Sequence, residues 1–435
     1  MLTPARRVLY SLGTFGASLL QQTVLLWAFY FYAPPPGQGL PVRLTPGLLG
    51  VALGLGRVID ALADPLVAHW SDRLRGPAGR RRPFILAGTP IMALAFVLLW
   101  HPPDAGTSAA TFAYVTIVLG IFFLAFTLVL NPYTALLPEV TRAGRERIST
   151  AAAQAIFSLA GTGTAFLASS HIAARVGFAG MGLVLAPIGM LTLIAAALAV
   201  RERRPTEAAT AFPEALRIVF GFGPFRIFIL GFALLWLGLS MIQLAIALIV
   251  TVLMGLPRTS VGTVLGLSVA ATLLATPAVA AVAHRIGARR TLLAAMSIAA
   301  VLTPLIGTIG LWPLPISAAT QGYVLIPLAG PALAALFVLP NAILADITQA
   351  VAHLTGRRVE GMFFAFQGLI LNGATSVASV CLGAALGIFG YNVGLRMAPV
   401  FATACVLAGI AVFRRFPEGE MVSAGYSSPQ EWART

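Results

Sequence analysis

Apolar runs of about 20 residues, each long enough to cross a bilayer as a helix, recur along the whole chain between short polar breaks. Twelve spans are predicted, at 8–32, 46–70, 83–101, 110–137, 149–173, 179–200, 225–252, 259–284, 289–311, 322–346, 361–388 and 396–413. The first follows Arg6-Arg7, is long and aromatic, and lacks a small-residue cleavage site, so it reads as an uncleaved span and not as a signal peptide. The longest charged interruption, 201–224, carries Pro205, Pro213 and Pro224 and divides the spans six and six. The expected domains are therefore a bundle at 1–200, a linker at 201–224, a second bundle at 225–416 and a tail at 417–435.

Composition turns this pattern into a class. With 58% hydrophobic and 10% charged residues among 435, the chain is expected to be an all-α, multi-pass membrane protein of the inner or plasma membrane. A net charge of +14 in a soluble protein would suggest nucleic acid, but here its distribution carries a different meaning. All 28 basic residues are arginine, and they gather at the N-terminus, in every second loop and after the last span. The opposite loops hold only Arg43, Arg175, Arg258 and Arg396. By the positive-inside rule both termini are cytoplasmic, which requires an even number of spans, and the charge serves orientation and contact with membrane lipid, with no nucleic acid partner.

The halves repeat each other weakly. Gly79-Arg80-Arg81-Arg82 recurs as Gly287-Ala288-Arg289-Arg290, and Leu136-Leu137-Pro138-Glu139-Val140-Thr141 as Ile343-Leu344-Ala345-Asp346-Ile347-Thr348. Same-direction repeats of six helices are the plan of the major facilitator fold, in which two bundles rock about a midplane site. No phosphate loop, nucleophile elbow or metalloprotease motif is present, and the loops are too short for a nucleotide-binding domain, so neither an enzyme nor a cofactor is expected. Cys381 and Cys405 lie within spans and read as small packing residues.

One span departs from the apolar rule. Arg57, Asp60 and Asp64 stand three and four residues apart, on one face of the second predicted helix. An ionised side chain near the bilayer centre costs at least about 2.5–3.5 kcal/mol. A structural ion pair between Arg57 and one carboxylate explains only one of the acids. The surplus carboxylate is the expected binding group for a proton or metal cation whose occupancy is coupled to transport.

The same stretch runs into Ser71-Asp72-Arg73 and Gly79-Arg80-Arg81-Arg82-Pro83-Phe84-Ile85, and in this it resembles the glycoside-pentoside-hexuronide:cation symporters, the melibiose permease group. Three further passages carry the likeness across both halves: Tyr10-Ser11-Leu12-Gly13-Thr14-Phe15-Gly16, Pro132-Tyr133-Thr134-Ala135-Leu136-Leu137-Pro138-Glu139 with Arg147, and Gly356-Arg357-Arg358-Val359-Glu360-Gly361-Met362. The resemblance implies that Asp60, Asp64 and Thr127 coordinate the coupling ion, H+ or Na+, with Arg57 matching a family arginine. Ala63 stands where the family site has an asparagine, a departure that favours the proton. In the sugar site, Ser18 and Leu130 replace acids, and Gln154 and Asn372 replace bases. The loss is balanced in sign, as expected when a charged clamp becomes a neutral cavity.

Polar and aromatic residues on inner helices are the expected lining: Ser18, Gln21, Gln22, Tyr30, Asn131, Tyr133, Gln154, Trp236, Gln243, Asn341, Gln367 and Asn372. By the same resemblance, Asp72, Arg80, Arg81, Glu139, Arg147, Asp346, Arg358 and Glu360 are expected to form gating ion pairs at the cytoplasmic ends. The whole reads as a monomeric, cation-coupled symporter of a small neutral solute, a sugar or glycoside. Its rivals are a lysolipid or amphiphile carrier of the same fold and a non-transporting sensor or assembly factor.

Overall fold

The computed structural model describes residues 3–73, 79–103, 106–141, 145–200, 202, 219–313, 315–355 and 360–416. The expected linker, apart from Glu202 and its last few residues, and the expected tail lie outside this set. Among the described residues every regular element is helical: α1 (Pro4–Ser11), α2 (Gly13–Tyr32), α3 (Pro46–Arg73), α4 (Arg82–Leu99), α5 (Ala109–Val140), α6 (Arg145–Ala199), α7 (Gly223–Leu248, continued by a π-helical turn at Ile249–Leu253), α8 (Thr259–Ile286), α9 (Ala288–Gly307), α10 (Ala318–Leu328), α11 (Gly330–Thr355) and α12 (Glu360–Phe413). Nine stretches among them are long and apolar enough to cross a membrane.

Helix starts follow local chemistry. Thr3, Ser108 and Ser317 each accept a backbone N–H of the first turn through their hydroxyl oxygen, satisfying a donor that has no intrahelical partner. The breaks between predicted spans are less obvious. The fifth and sixth spans form one element, α6, interrupted only at Gly177 (φ 75°, ψ 174°), and the last two form α12, interrupted only at Gly390 (φ 71°, ψ 175°). Only glycine adopts this backbone region at little cost, so a single residue replaces the loop that each span boundary suggested. Conversely, the run 322–346 is not one helix: α10 ends just after Pro327, and α11 begins at Gly330. Proline has no N–H to continue the ladder.

The chain forms two compact units. The first comprises Met1–Thr206 with Gln243–Gly266 and Ser379–Leu395; the second comprises Glu207–Ile242, Leu267–Ala378 and Arg396–Thr435. Two segments from beyond the expected linker thus pack with the first unit, and small residues make this possible. Ser379 donates to the carbonyl of Gly50 at 3.0 Å, and a β-carbon at Gly383 would lie 2.5 Å from the Pro46 carbonyl. Gly262 lets α8 reach the backbone of α6 at Phe166, and Tyr391 donates to the Ala33 carbonyl at 2.7 Å. Glycine at such crossings allows backbones to approach to contact. Gly383→Val is accordingly expected to destabilise the protein by about 1–3 kcal/mol, the usual cost of overpacking. Melting in detergent measures it, and a wild-type melting temperature would contradict the close crossing.

Both cores contain aromatic clusters among mostly aliphatic side chains. In the first unit Trp27, Phe31, Trp100 and Phe178 form a cluster with contacting rings 5.0–5.8 Å apart, and Trp27 donates to Ser169 at 2.7 Å. In the second, Phe225, Phe228, Phe363 and Phe413 are completely enclosed.

Candidate functional site

The charged face of α3 packs against α5, and small residues bring the two helices together. A β-carbon at Gly56 would lie 2.9 Å from the ring of Phe123, and one at Gly120 would lie 3.0 Å from Ile59. The space beside Gly56 admits the Phe123 ring, over which the Arg57 guanidinium sits 4.0 Å from the centroid. This is cation–π geometry in a desolvated setting.

Arg57 is 3% exposed, and its Nη1 donates to Asp60 Oδ2 at 3.1 Å. Asp60 and Thr127 are each 2% exposed, and the Thr127 hydroxyl donates to Asp60 Oδ1. The same hydroxyl lies 3.2 Å from Asp64 Oδ1. Asn131, one turn further along α5, donates through Nδ2 to Asp64 Oδ1 at 3.0 Å and to the Asp64 carbonyl at 3.3 Å. The two acids are therefore not equivalent. Asp60 is balanced by Arg57, whereas the hydrogen bonds to Asp64, half-buried, come from neutral dipoles.

Counting formal charges, Arg57, Asp60 and Asp64 sum to −1. Counting hydrogens, Asp60 Oδ1, Asp64 Oδ1 and Thr127 Oγ1 converge with one hydroxyl proton among them. Such a set of hard oxygens with a net negative charge suits one small monovalent cation or a proton. Two carboxylates and a hydroxyl do not make the nitrogen- and sulfur-rich set that holds a structural transition metal.

The residues expected to line a solute cavity fall into separate places. In the first unit, Ser18 bonds Ser158 at 2.8 Å, Gln22 accepts from Gln243 at 2.5 Å, and Gln154 donates to the Tyr133 hydroxyl at 2.9 Å. Tyr133 is completely enclosed; its hydroxyl donates to the Tyr10 carbonyl, and the Tyr10 hydroxyl donates to the carbonyl of Tyr133 at 2.8 Å. It pins α1 to α5. In the second unit Trp236 donates to Thr375 at 3.1 Å, and Gln367 donates to Asn341 at 3.4 Å. Asn372 is half-buried on α12.

Of the expected gating residues, Arg358 lies outside the described residues, as do the side chains of Asp72, Glu139 and Glu360. Arg147 is half-buried, Asp346 is partly exposed, and both have partners. Arg80 and Arg81 are held in part through their backbone. Glu202 accepts from the N–H groups of Arg80, Arg81 and Arg82 at 2.6–3.1 Å, where the positive end of the α4 dipole favours an anion. Arg81 also donates to the Ala135 carbonyl. Glu202 is hidden in the charged linker, and no local motif marks it. Asn131 has a usable signal, its spacing of four from Thr127, although polarity alone groups it with the cavity lining.

Known proteins support the same direction. The family model described as MFS/sugar transport protein matches residues 9–414. The putative glycoside/cation symporter YagG of Escherichia coli is 28% identical over 240 residues, 52% of this chain and 50% of its own. The sodium-dependent lysophosphatidylcholine symporter 1 of Gallus gallus is 23% identical over 435 residues, 87% of this chain and 81% of its own. The chain spans half or less of the lengths of four bacterial symporters it matches, between 31% and 50%. Among solved structures, the POT family transporter PepTSo superposes with a TM-score of 0.71 at 12% identity, over 98% of this chain and 100% of that one, a likeness of fold. With a family model covering nearly its whole length, the chain belongs to the MFS/sugar transport protein family.

Proposed function

We propose that the protein is a secondary transporter with twelve membrane-spanning helices in two six-helix bundles, both termini cytoplasmic, which couples one monovalent cation to the symport of a small neutral solute by alternating access. The observation that carries the reading is the unbalanced carboxylate of Asp64 beside the Arg57–Asp60 pair. One H+ or Na+ brings the charge of this buried face to zero. A neutral face removes the penalty that opposes moving the loaded helices through a low-dielectric region. Ion and solute are linked thermodynamically, since each favours the same occluded state.

The solute is a sugar or glycoside. Amides and hydroxyls at Ser18, Gln154, Gln367, Asn341 and Asn372 provide neutral hydrogen-bonding groups without a charged clamp, and YagG is named a glycoside/cation symporter. A second reading, an amphiphile carrier, is favoured by the long coverage of the lysophosphatidylcholine symporter. Uptake into proteoliposomes separates the two. An inward Na+ or H+ gradient is expected to drive accumulation of a labelled glycoside from a panel. Gradient-driven uptake of lysophosphatidylcholine with none of the glycosides would establish the second reading, and gradient-independent flux of every solute would refute coupling.

A further inference from the structure

Asp64 is the group that needs placing, and α3 does little to place it. Its neighbour Ala63 is a buried methyl, and Asp60 is engaged with Arg57 and Thr127. The groups that hold the Asp64 side chain come from α5, where Thr127 and Asn131 stand four residues apart and so share a face. Thr127 divides its single hydroxyl hydrogen between two carboxylates. Asn131 does not, since both of its contacts go to Asp64, one to the carboxylate and one to the main-chain carbonyl. Both partners are acceptors only, which determines that the NH2 end of the amide faces Asp64. The two bonds together tie the carboxylate to its own backbone and to α5.

We propose that Asn131 is the specificity-determining positioning residue of the cation site, setting the place of Asp64 so that the site distinguishes Na+ from Li+. The inference rests on the cation-site reading above. Discrimination between ions of one charge comes from cavity size and ligand rigidity, and a carboxylate free to rotate accommodates either radius. Partners that orient a ligand without touching the ion typically contribute about 10–100-fold in affinity. Asn131 fits this role because its amide is bonded to the ligand through two points and comes from the helix that also carries Thr127.

The test is cation-dependent thermal stabilisation of the purified full-length protein, titrated separately with NaCl and LiCl, with choline chloride to hold ionic strength constant. Asn131→Leu keeps the number and branching of the heavy atoms and removes the amide. It is expected to raise the half-saturating Na+ concentration about 10–100-fold and to bring the Na+ and Li+ values together, with the melting temperature in choline recording separately what the lost bonds cost the fold. Asn131→Ser, smaller and still polar, keeps the measurement available should the leucine variant fail to fold, and it is expected to weaken Na+ binding at least about tenfold. A residue that merely filled space would leave the Na+/Li+ ratio unchanged. Wild-type affinity and ratio in either folded variant overturn the proposal. A wild-type protein indifferent to both metals overturns it as well, and Asp64→Asn then decides the broader reading: a proton response lost in that variant keeps the cation site, whereas no response of any kind removes both.

Discussion

Asp60→Asn will destabilise the protein by about 3–5 kcal/mol, and adding Arg57→Met will restore most of the loss. The magnitude is that of breaking a buried ion pair by removing one partner, which strands the other charge. Arg57 is 3% exposed; its described contacts are Asp60 Oδ2 and the face of Phe123, and a ring quadrupole cannot replace a carboxylate. Removing the guanidinium as well leaves a neutral amide where the Asp60 carboxylate stood and returns the site to the one unbalanced carboxylate, Asp64, that the wild type already carries. Thermal and urea melting of the three proteins in one detergent measures the cycle. If the single variant is as stable as wild type, or the double variant is the less stable, the pair does not hold this part of the structure together.

Asp64→Asn should behave in the opposite way. The Arg57–Asp60 pair survives, the buried face becomes neutral, and the fold is expected to remain intact in the absence of added cation. What disappears is the response to the ion. A ligand that binds only the folded state contributes RT ln(1 + [L]/Kd), about 2.7 kcal/mol at a concentration of about 100 Kd. That increment, titrated with Na+, Li+ and pH, is expected in the wild type and absent in the variant. Persistence of the wild-type increment would place the ion elsewhere. The paired experiment separates two acids that look alike in the sequence, one structural in its larger effect and one functional.

How much of this was legible beforehand depends on the range of the interaction. The face shared by Arg57, Asp60 and Asp64 follows from helical spacing, and the existence of one surplus acid follows from charge counting. Which acid is surplus does not. The arginine's choice of Asp60 rests on the Phe123 ring seated beside Gly56, a contact between helices more than 60 residues apart in sequence. Asn131 shows the same limit: its spacing from Thr127 is visible, but only the packing of α5 on α3 aims its amide at Asp64 and not at a cavity. Glu202 lies about 120 residues from the three N–H groups it accepts from, and no local rule anticipates it.

By itself the sequence determined the membrane class and most of the helical segments, and it singled out the one span that carries Arg57, Asp60 and Asp64, because hydropathy and helical period act within one turn or one span. The tertiary structure alone decided that single glycines at Gly177 and Gly390 stand in for loops, that Gln243–Gly266 and Ser379–Leu395 pack with the first unit, and which polar groups bond to one another. Those outcomes turn on backbone approach and side-chain direction, which depend on what the facing helix presents at the same height.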